Sequence, residues 1–211
     1  MLVYTQQPLS VWQQVYLTGV YYPMPGHENL MKNIDNNWKL AYNWMTNQLA
    51  SQILQPKKAT LPIWWWPITK NYFPKCDPSN VTILAEIPKT ELLASNFELW
   101  HFVLNRFYLH SNQKETEDEW NQTENQFDSL PAKKQHQLML QSWQHIFDLK
   151  ECHDYHDIQL ISWNIQSKHV FRVLNYQQQP IFHQQPNLER KLSYASDTQR
   201  ILNHTLFRRL S

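Results

Sequence analysis

The chain switches repeatedly between apolar residues spaced three or four apart and short runs that alternate or are apolar throughout. The switch points outline its elements. Residues 2–5 read as a short strand. In residues 8–18, Val11, Trp12, Val15 and Tyr16 fall at helical spacing; Pro8 or Ser10 can start that helix and Gly19 suits its end. Residues 20–22 predict a second short strand before the turn Pro23-Met24-Pro25-Gly26. The clearest helix spans residues 35–54, where Trp38, Ala41, Trp44 or Met45, Gln48 or Leu49, and Ile53 recur on one face, with Asp35 as its N-cap. Residues 61–68, LPIWWWPI, form an apolar run bracketed by prolines. Proline donates nothing to a strand ladder, so this segment is expected near a sheet edge or with its prolines at strand ends. Residues 81–87 predict a central strand.

Residues 97–108 are helical in pattern. Residues 115–126 are acidic and read as a solvated helix or excursion. Residues 131–149 predict another amphipathic helix, with Leu138, Leu140 or Trp143, Ile146 and Phe147 on its apolar side. Residues 158–165 are strand-like, and residues 169–176 are expected to pair with them. Strands and helices in irregular order imply an α+β fold: one domain over residues 1–176, with a small mixed or antiparallel sheet flanked by amphipathic helices. From residue 177 the composition turns to Gln, Pro and other polar residues. Residues 197–210 could form a short helix with Ile201, Leu202, Leu206 and Leu210 apolar and Arg200, Arg208 and Arg209 basic. Residues 177–211 therefore read as a tail, docked on its own domain or seeking a partner.

Composition narrows the function classes. A length of 211 residues suits one domain, and 42% hydrophobic with 14% aromatic residues is enough for a real core. Ten tryptophans stand beside only two glycines. Few glycines leave little backbone freedom for a phosphate-cradling loop, which disfavours P-loop and dinucleotide-fingerprint folds. A net charge of +1 supplies no global field for nucleic acid or membrane, although Lys57, Lys58, Lys70 and Lys75 could form a local patch. Cys76 and Cys152 read as two reduced thiols, with one bridge as the alternative. There is no basic-then-apolar leader and no run of ~20 apolar residues, so a soluble cytoplasmic protein is expected.

Three segments carry a family resemblance: Tyr4-Thr5-x-Gln7 with Gly19-Val20-Tyr21; the run at 61–68 followed by ILAEIPKTELLASNFELWHFVLN at 83–105; and Ile158-Gln159-Leu160-Ile161-Ser162-Trp163-x-Ile165. Together they resemble the small bacterial proteins of domain of unknown function 3841, over residues 1–176. The resemblance implies no particular activity. One departure is Asn96, where the family pattern carries aspartate. A fainter resemblance concerns fold. A strand ending in aromatic-Thr, then a helix, a glycine and a short strand, is similar to the opening of ADP-ribosyltransferase-like domains. Their late strand bears a catalytic glutamate, but Leu160, Ile161 and Ser162 hold the corresponding positions here. The resemblance implies that the usual transferase chemistry is absent or rebuilt.

Several residues could form a site. Tyr4, Thr5, Gln6 and Gln7 could present hydroxyls and amides to a ribose or base, or could satisfy a local turn. Trp100, His101 and Asn105 lie on one helix, with 101 and 105 on one face and Ser95 or Asn96 as its cap. They could line a pocket, with His101 the candidate for acid–base work, or simply pack and tie backbone. Gln159 and Trp163 would join them. Cys152-His153-Asp154-Tyr155-His156-Asp157 offers metal-ligand types, but no second cluster completes a site, so it reads as a polar loop. Trp64-Trp65-Trp66 reads as core, and alternation would expose either Trp65 or the 64/66 pair. Glu115, Glu117, Asp118 and Glu119 read as a solvated face. The expected function is binding of a nucleotide- or NAD-type small molecule by Tyr4, Thr5, Gln6, Trp100, His101, Asn105, Gln159 and Trp163. No motif specifies a cofactor. The alternative is a non-catalytic module that binds a protein partner through the tail and aromatic patches.

Overall fold

Alternating burial along Leu2–Pro8 makes β1, with Val3 and Thr5 turned inward. The chain then enters helix α1 (Leu9–Thr18), whose Val11, Trp12 and Val15 are buried and whose end is set by Gly19 in the left-handed conformation, φ +82°. Strand β2 (Val20–Tyr21) follows, then helix α2 (Asn36–Gln52). Next come β3 (Ile63–Pro67), β4 (Asn80–Glu86) and β5 (Leu93–Asn96), then helices α3 (Phe97–Leu104), α4 (Glu117–Asp128) and α5 (Ala132–Ser142). Strands β6 (Ile158–Ser162), β7 (Ile165–Gln166), β8 (Val170–Leu174) and β9 (Pro180–His183) complete the order. This computed structural model describes residues 1–23, 36–68, 73–110, 116–152 and 154–183. The α+β architecture is as expected. Among the described residues no helix is long and apolar enough to cross a membrane.

Seven strands form one sheet in the order β5-β6-β3-β1-β4-β8-β9, and β2 pairs with β7 apart from it. Every pairing is antiparallel. One sheet face carries Val3, Ile63, Trp65, Ile83 and Leu160 onto α1. The opposite face has two covers. Over β5, β6 and β3, Leu93, Ile161 and Trp64 pack on Met45 and Leu49 of α2, Trp100 and Val103 of α3, and Trp143 and Ile146. Over β1, β4 and β8, Leu2, Leu84 and Leu174 pack with Ile68 and Phe73. The junction between these covers falls at β1 and β3.

That junction is where the sheet opens. β1 pairs with β4 along its whole length, from Leu2↔Glu86 to Pro8↔Asn80. With β3 it pairs only at Val3↔Pro67 and Tyr4↔Trp66. The other half of β3, Ile63 to Trp65, pairs with β6 instead. Past Tyr4 on one strand and before Trp66 on the other, the two strands part.

Several expectations change. Of the two expectations for residues 61–68, the sheet edge falls and the prolines at strand ends hold: β3 is an interior strand, preceded by Pro62 and closed by Pro67. Val170–Leu174 pairs with β4 rather than with Ile158–Ser162, because both edges of β6 are taken by β3 and β5. The predicted helix over 97–108 stops at Leu104, and Arg106 takes φ +61° just beyond it. The helix over 131–149 becomes α5 followed by a tight 3-10 turn at Trp143–Phe147. The sheet continues past residue 176: β9 pairs with β8, and the Phe182 ring packs tilted against Trp12, 4.8 Å between ring centres. The Asp35 cap and the predicted tail helix lie outside the described residues.

Candidate functional site

The parted strands leave a cleft of about 570 Å³. Tyr4, Thr5, Gln6 and Gln7 of β1 form one wall and Trp64 and Trp66 of β3 the other. Pro74, Phe97 at the start of α3, and His156 of the 3-10 turn Tyr155–Asp157 close it. Strand alternation explains the tryptophans: Trp65 is fully buried on the α1 side, while Trp64 and Trp66 turn to the cleft. Trp64 is backed by Trp100 at 5.0 Å and Tyr42 at 6.0 Å, and Trp66 meets the edge of Phe97 at 4.7 Å. Aromatic walls held by further aromatics cost little entropy to order around a ligand.

Polar groups sit on fixed stems. Gln6 Nε2 donates to the Pro74 carbonyl at 2.6 Å, and Gln7 Nε2 donates to Thr5 Oγ1 at 2.8 Å. These bonds hold the two amides, whose oxygens accept nothing from the described residues. Tyr4 rests edge-on against Phe73 at 5.2 Å, and burial pushes its phenol above the ordinary value. Among the described residues no Lys or Arg lines the cleft. It therefore suits an uncharged, planar, hydrogen-bonding group better than a phosphate.

Of the predicted site residues, Tyr4, Thr5 and Gln6 line this cleft. The α3 residues serve other ends. Trp100 is buried behind Trp64. His101 is exposed, and its Nδ1 lies 3.0 Å from the Phe97 carbonyl, which can only accept, so this nitrogen carries the proton of that bond. Asn105 caps the helix end and its Nδ2 donates to the His101 carbonyl at 2.7 Å. Helical spacing puts His101 and Asn105 on one face with Phe97, whose ring lies 4.5 Å from that of His101, but they sit further along the helix and neither lines the cleft. Trp163 is buried, with its indole N–H donating to the Ile53 carbonyl at 2.9 Å. Gln159 is buried on β6, in register with Ser95 of β5.

Sequence reasoning left Trp64, Trp66, Pro74, Phe97 and His156 out of the site. Alternation within the tryptophan run was the one available signal, and it allowed the 64/66 pair. Pro74, Phe97 and His156 arrive from three separate parts of the chain and carry no local signature.

The Asn96 departure has a local reason. Its side-chain oxygen accepts from Leu99 N at 3.0 Å and caps α3, while its Nδ2 donates to Cys152 Sγ at 3.4 Å. An aspartate would keep the cap and lose that donor. Burial, with the charge of Asp157, pushes the Cys152 thiol up to about 11. Among the described residues no group of three His, Cys, Asp or Glu side chains could hold a metal. Asp154 and Asp157 instead accept backbone N–H groups of their own turn. A smaller cavity of about 370 Å³ lies between the end of α3 and α4, lined by Phe102, Arg106, Tyr108, Trp120, Glu124 and Phe127 among others, and shares nothing with the predicted site.

The family model described as Domain of unknown function (DUF3841) matches residues 2–171, and the chain belongs to that family. The matched span contains every described residue that lines the cleft. No curated protein and no solved structure matches the chain.

Proposed function

We propose that the β1/β3 cleft of this family member binds the base-bearing part of a nucleotide or NAD-type small molecule. The opening of the sheet just beyond the Tyr4–Trp66 pair carries this reading. It makes a concave site within the roughly 300–1,000 Å³ range of small-ligand pockets, with aromatic walls and a few anchored amides. Trp64 and Trp66 would stack on a planar ring. The Gln6 and Gln7 oxygens would accept its N–H groups. A phosphate would lie outward, away from this uncharged lining. The residues at 160–162 offer no glutamate for the usual transferase step, so the reading is one of binding. Free Cys76 and Cys152 fit a reducing compartment, and we place the function in the cytoplasm.

The test is a thermal-shift panel with NAD, ADP-ribose, adenosine and nicotinamide. A ligand at ~100 times its dissociation constant adds ~2.7 kcal/mol of apparent stability. The expected result is a shift that disappears in Trp66→Ala and in Gln6→Ala. A shift that survives both would remove the ligand from this cleft, and no shift with any compound would overturn the reading.

A second reading, a protein-binding module, draws on a different observation. Leu9, Tyr16 and Leu17 of α1 and Ile181 of β9 are exposed, Leu17 at 80%, beside the outermost strand of the sheet. An apolar surface next to an open strand edge suits a protein partner. Pull-down with Tyr16→Lys and Leu17→Lys variants as controls separates the two readings.

A further inference from the structure

The smaller cavity, of about 370 Å³, has two sides that the sequence explains. Trp120, Glu124, Phe127 and Asp128 follow one another along α4 at helical spacing and so share one face. The other side comes from the end of α3, where the chain turns through Arg106 at φ +61° and brings Phe102, Phe107 and Tyr108 to the same space. Close packing of α4 on this end would bury its aromatic face. Instead Trp120 and Phe127 stay half-buried, and Phe102 and Phe107 remain 38% and 56% exposed. A single exposed aromatic needs no explanation, but several gathered round one cavity mark a binding surface.

The rings hold one another in place. Tyr108 stacks on Phe127 at 4.8 Å, Phe102 meets Phe107 edge-on at 6.1 Å, and Trp120 lies flat on the His110 ring at 3.7 Å. Charge then selects the ligand. Helix α4 carries Glu117, Asp118, Glu119, Glu124 and Asp128 and no Lys or Arg. Glu124 and Asp128 line the cavity, and among the described residues Arg106 is the one Lys or Arg that does. The lining is negative on balance, so an anion would be repelled, and a neutral apolar ligand would gain nothing from the carboxylates. Among the described residues no group of three His, Cys, Asp or Glu side chains could hold a metal ion. A cation wrapped in methyl groups suits both features, because aromatic faces attract it and carboxylates balance its charge.

We propose that this cavity binds a methylated ammonium head of the trimethylammonium kind. Trp120, Phe127, Phe102, Phe107 and Tyr108 form its walls, and Glu124 and Asp128 supply the counter-charge. The cavity shares no lining residue with the β1/β3 cleft, so it stands or falls apart from the reading above. It also gives α4, none of whose residues is fully buried, something to close on.

The same head occurs on a free small molecule and on a trimethylated lysine side chain. Choline and a short trimethyllysine peptide are therefore titrated into the full chain by calorimetry at low ionic strength. Each is run beside its uncharged analogue, in which carbon replaces the nitrogen. At least one cation should bind in the millimolar range or tighter, the stronger naming the source, and its uncharged analogue should bind about fivefold more weakly or worse. Trp120→Leu should weaken the cation. Because that change touches a half-buried ring, the exposed double substitution Glu124→Gln with Asp128→Asn is the second variant, and it too should weaken binding several-fold. Arg106→Gln should bind at least as tightly as the native chain. The bound cation should slow amide exchange across Glu117–Asp128. No binding of either cation, equal binding of a cation and its uncharged analogue, unchanged binding in the double variant, or loss of binding in Arg106→Gln would each overturn the proposal.

Discussion

Gly19 shows how one backbone angle constrains a residue. Its φ of +82° belongs to the left-handed region, and among the described residues a Cβ there would meet only Ser167 Oγ at 3.8 Å. Space is available, so Gly19→Ala tests the angle alone. It should cost about 1 kcal/mol in urea unfolding, with an unchanged slope. Trp65 poses the opposite problem, a fully buried indole whose N–H donates to Ser162 Oγ at 2.8 Å. Ser162→Ala strands that donor and should cost about 1–3 kcal/mol, read from the same curves. Cys152 adds a pH dependence. Burial first, then Asp157, raises its thiol to about 11 from an ordinary 9.0, so the folded state favours the protonated form. Its protonated thiol is fully compatible with the fold below pH 9, and stability falls as pH rises from there through about 11. At pH 9 the native thiol should alkylate more slowly than in urea; equal rates would contradict its burial. The role of Gly19 is visible in sequence, because a lone glycine after a periodic run is a helix stop. The Trp65–Ser162 bond is not, since 97 residues separate its partners.

At the scale of elements, α4 is the least anchored. None of its residues is fully buried, and it begins with a reciprocal capping box between Thr116 and Glu119. Hydrogen bonds from the Thr116 backbone and hydroxyl hold the Glu119 carboxyl below its ordinary value. A helix without a buried face depends on its own termini. Thr116→Ala should weaken it by ~1 kcal/mol, seen as faster amide exchange across Glu117–Asp128 with little change in the melting temperature. The acidic run already announced a solvated helix here. Helix α3 was legible too, but its orientation was not. Periodicity tells which residues share a face and says nothing of which turn of that face meets the cleft: Phe97, at the helix start, lines it, while His101 and Asn105, one and two turns further on, do not.

The whole molecule is closed at one margin by β9. Phe182 packs on Trp12 at 4.8 Å and Tyr16 at 6.1 Å, and Val173↔Phe182 lies within the β8–β9 ladder. A chain ending at Tyr176 should therefore melt lower than one ending at His183, because it exposes Trp12 and the edge of β8. Equal melting temperatures would show that β9 adds nothing to the sheet. The composition shift at residue 177 suggested a boundary, yet the pairing runs on to residue 183. Two or three inward apolar residues are too few to stand out from a Gln- and Pro-rich background.

The sequence alone determined the α+β class, the family, the helix stop at Gly19, a polar cap at Ser95 or Asn96 and the buried strands around Trp65 and Leu160. Each of these rests on neighbours in the chain, whose spacing is written in the sequence. Strand order, the parting of β1 from β3, and the meeting of Gln6, Trp66, Phe97 and His156 were decided only by the tertiary structure. Backbone hydrogen bonds are the same for any strand pair. Which edges meet depends on how the whole set of apolar faces is covered, and two different covers meeting at β1 and β3 open the cleft.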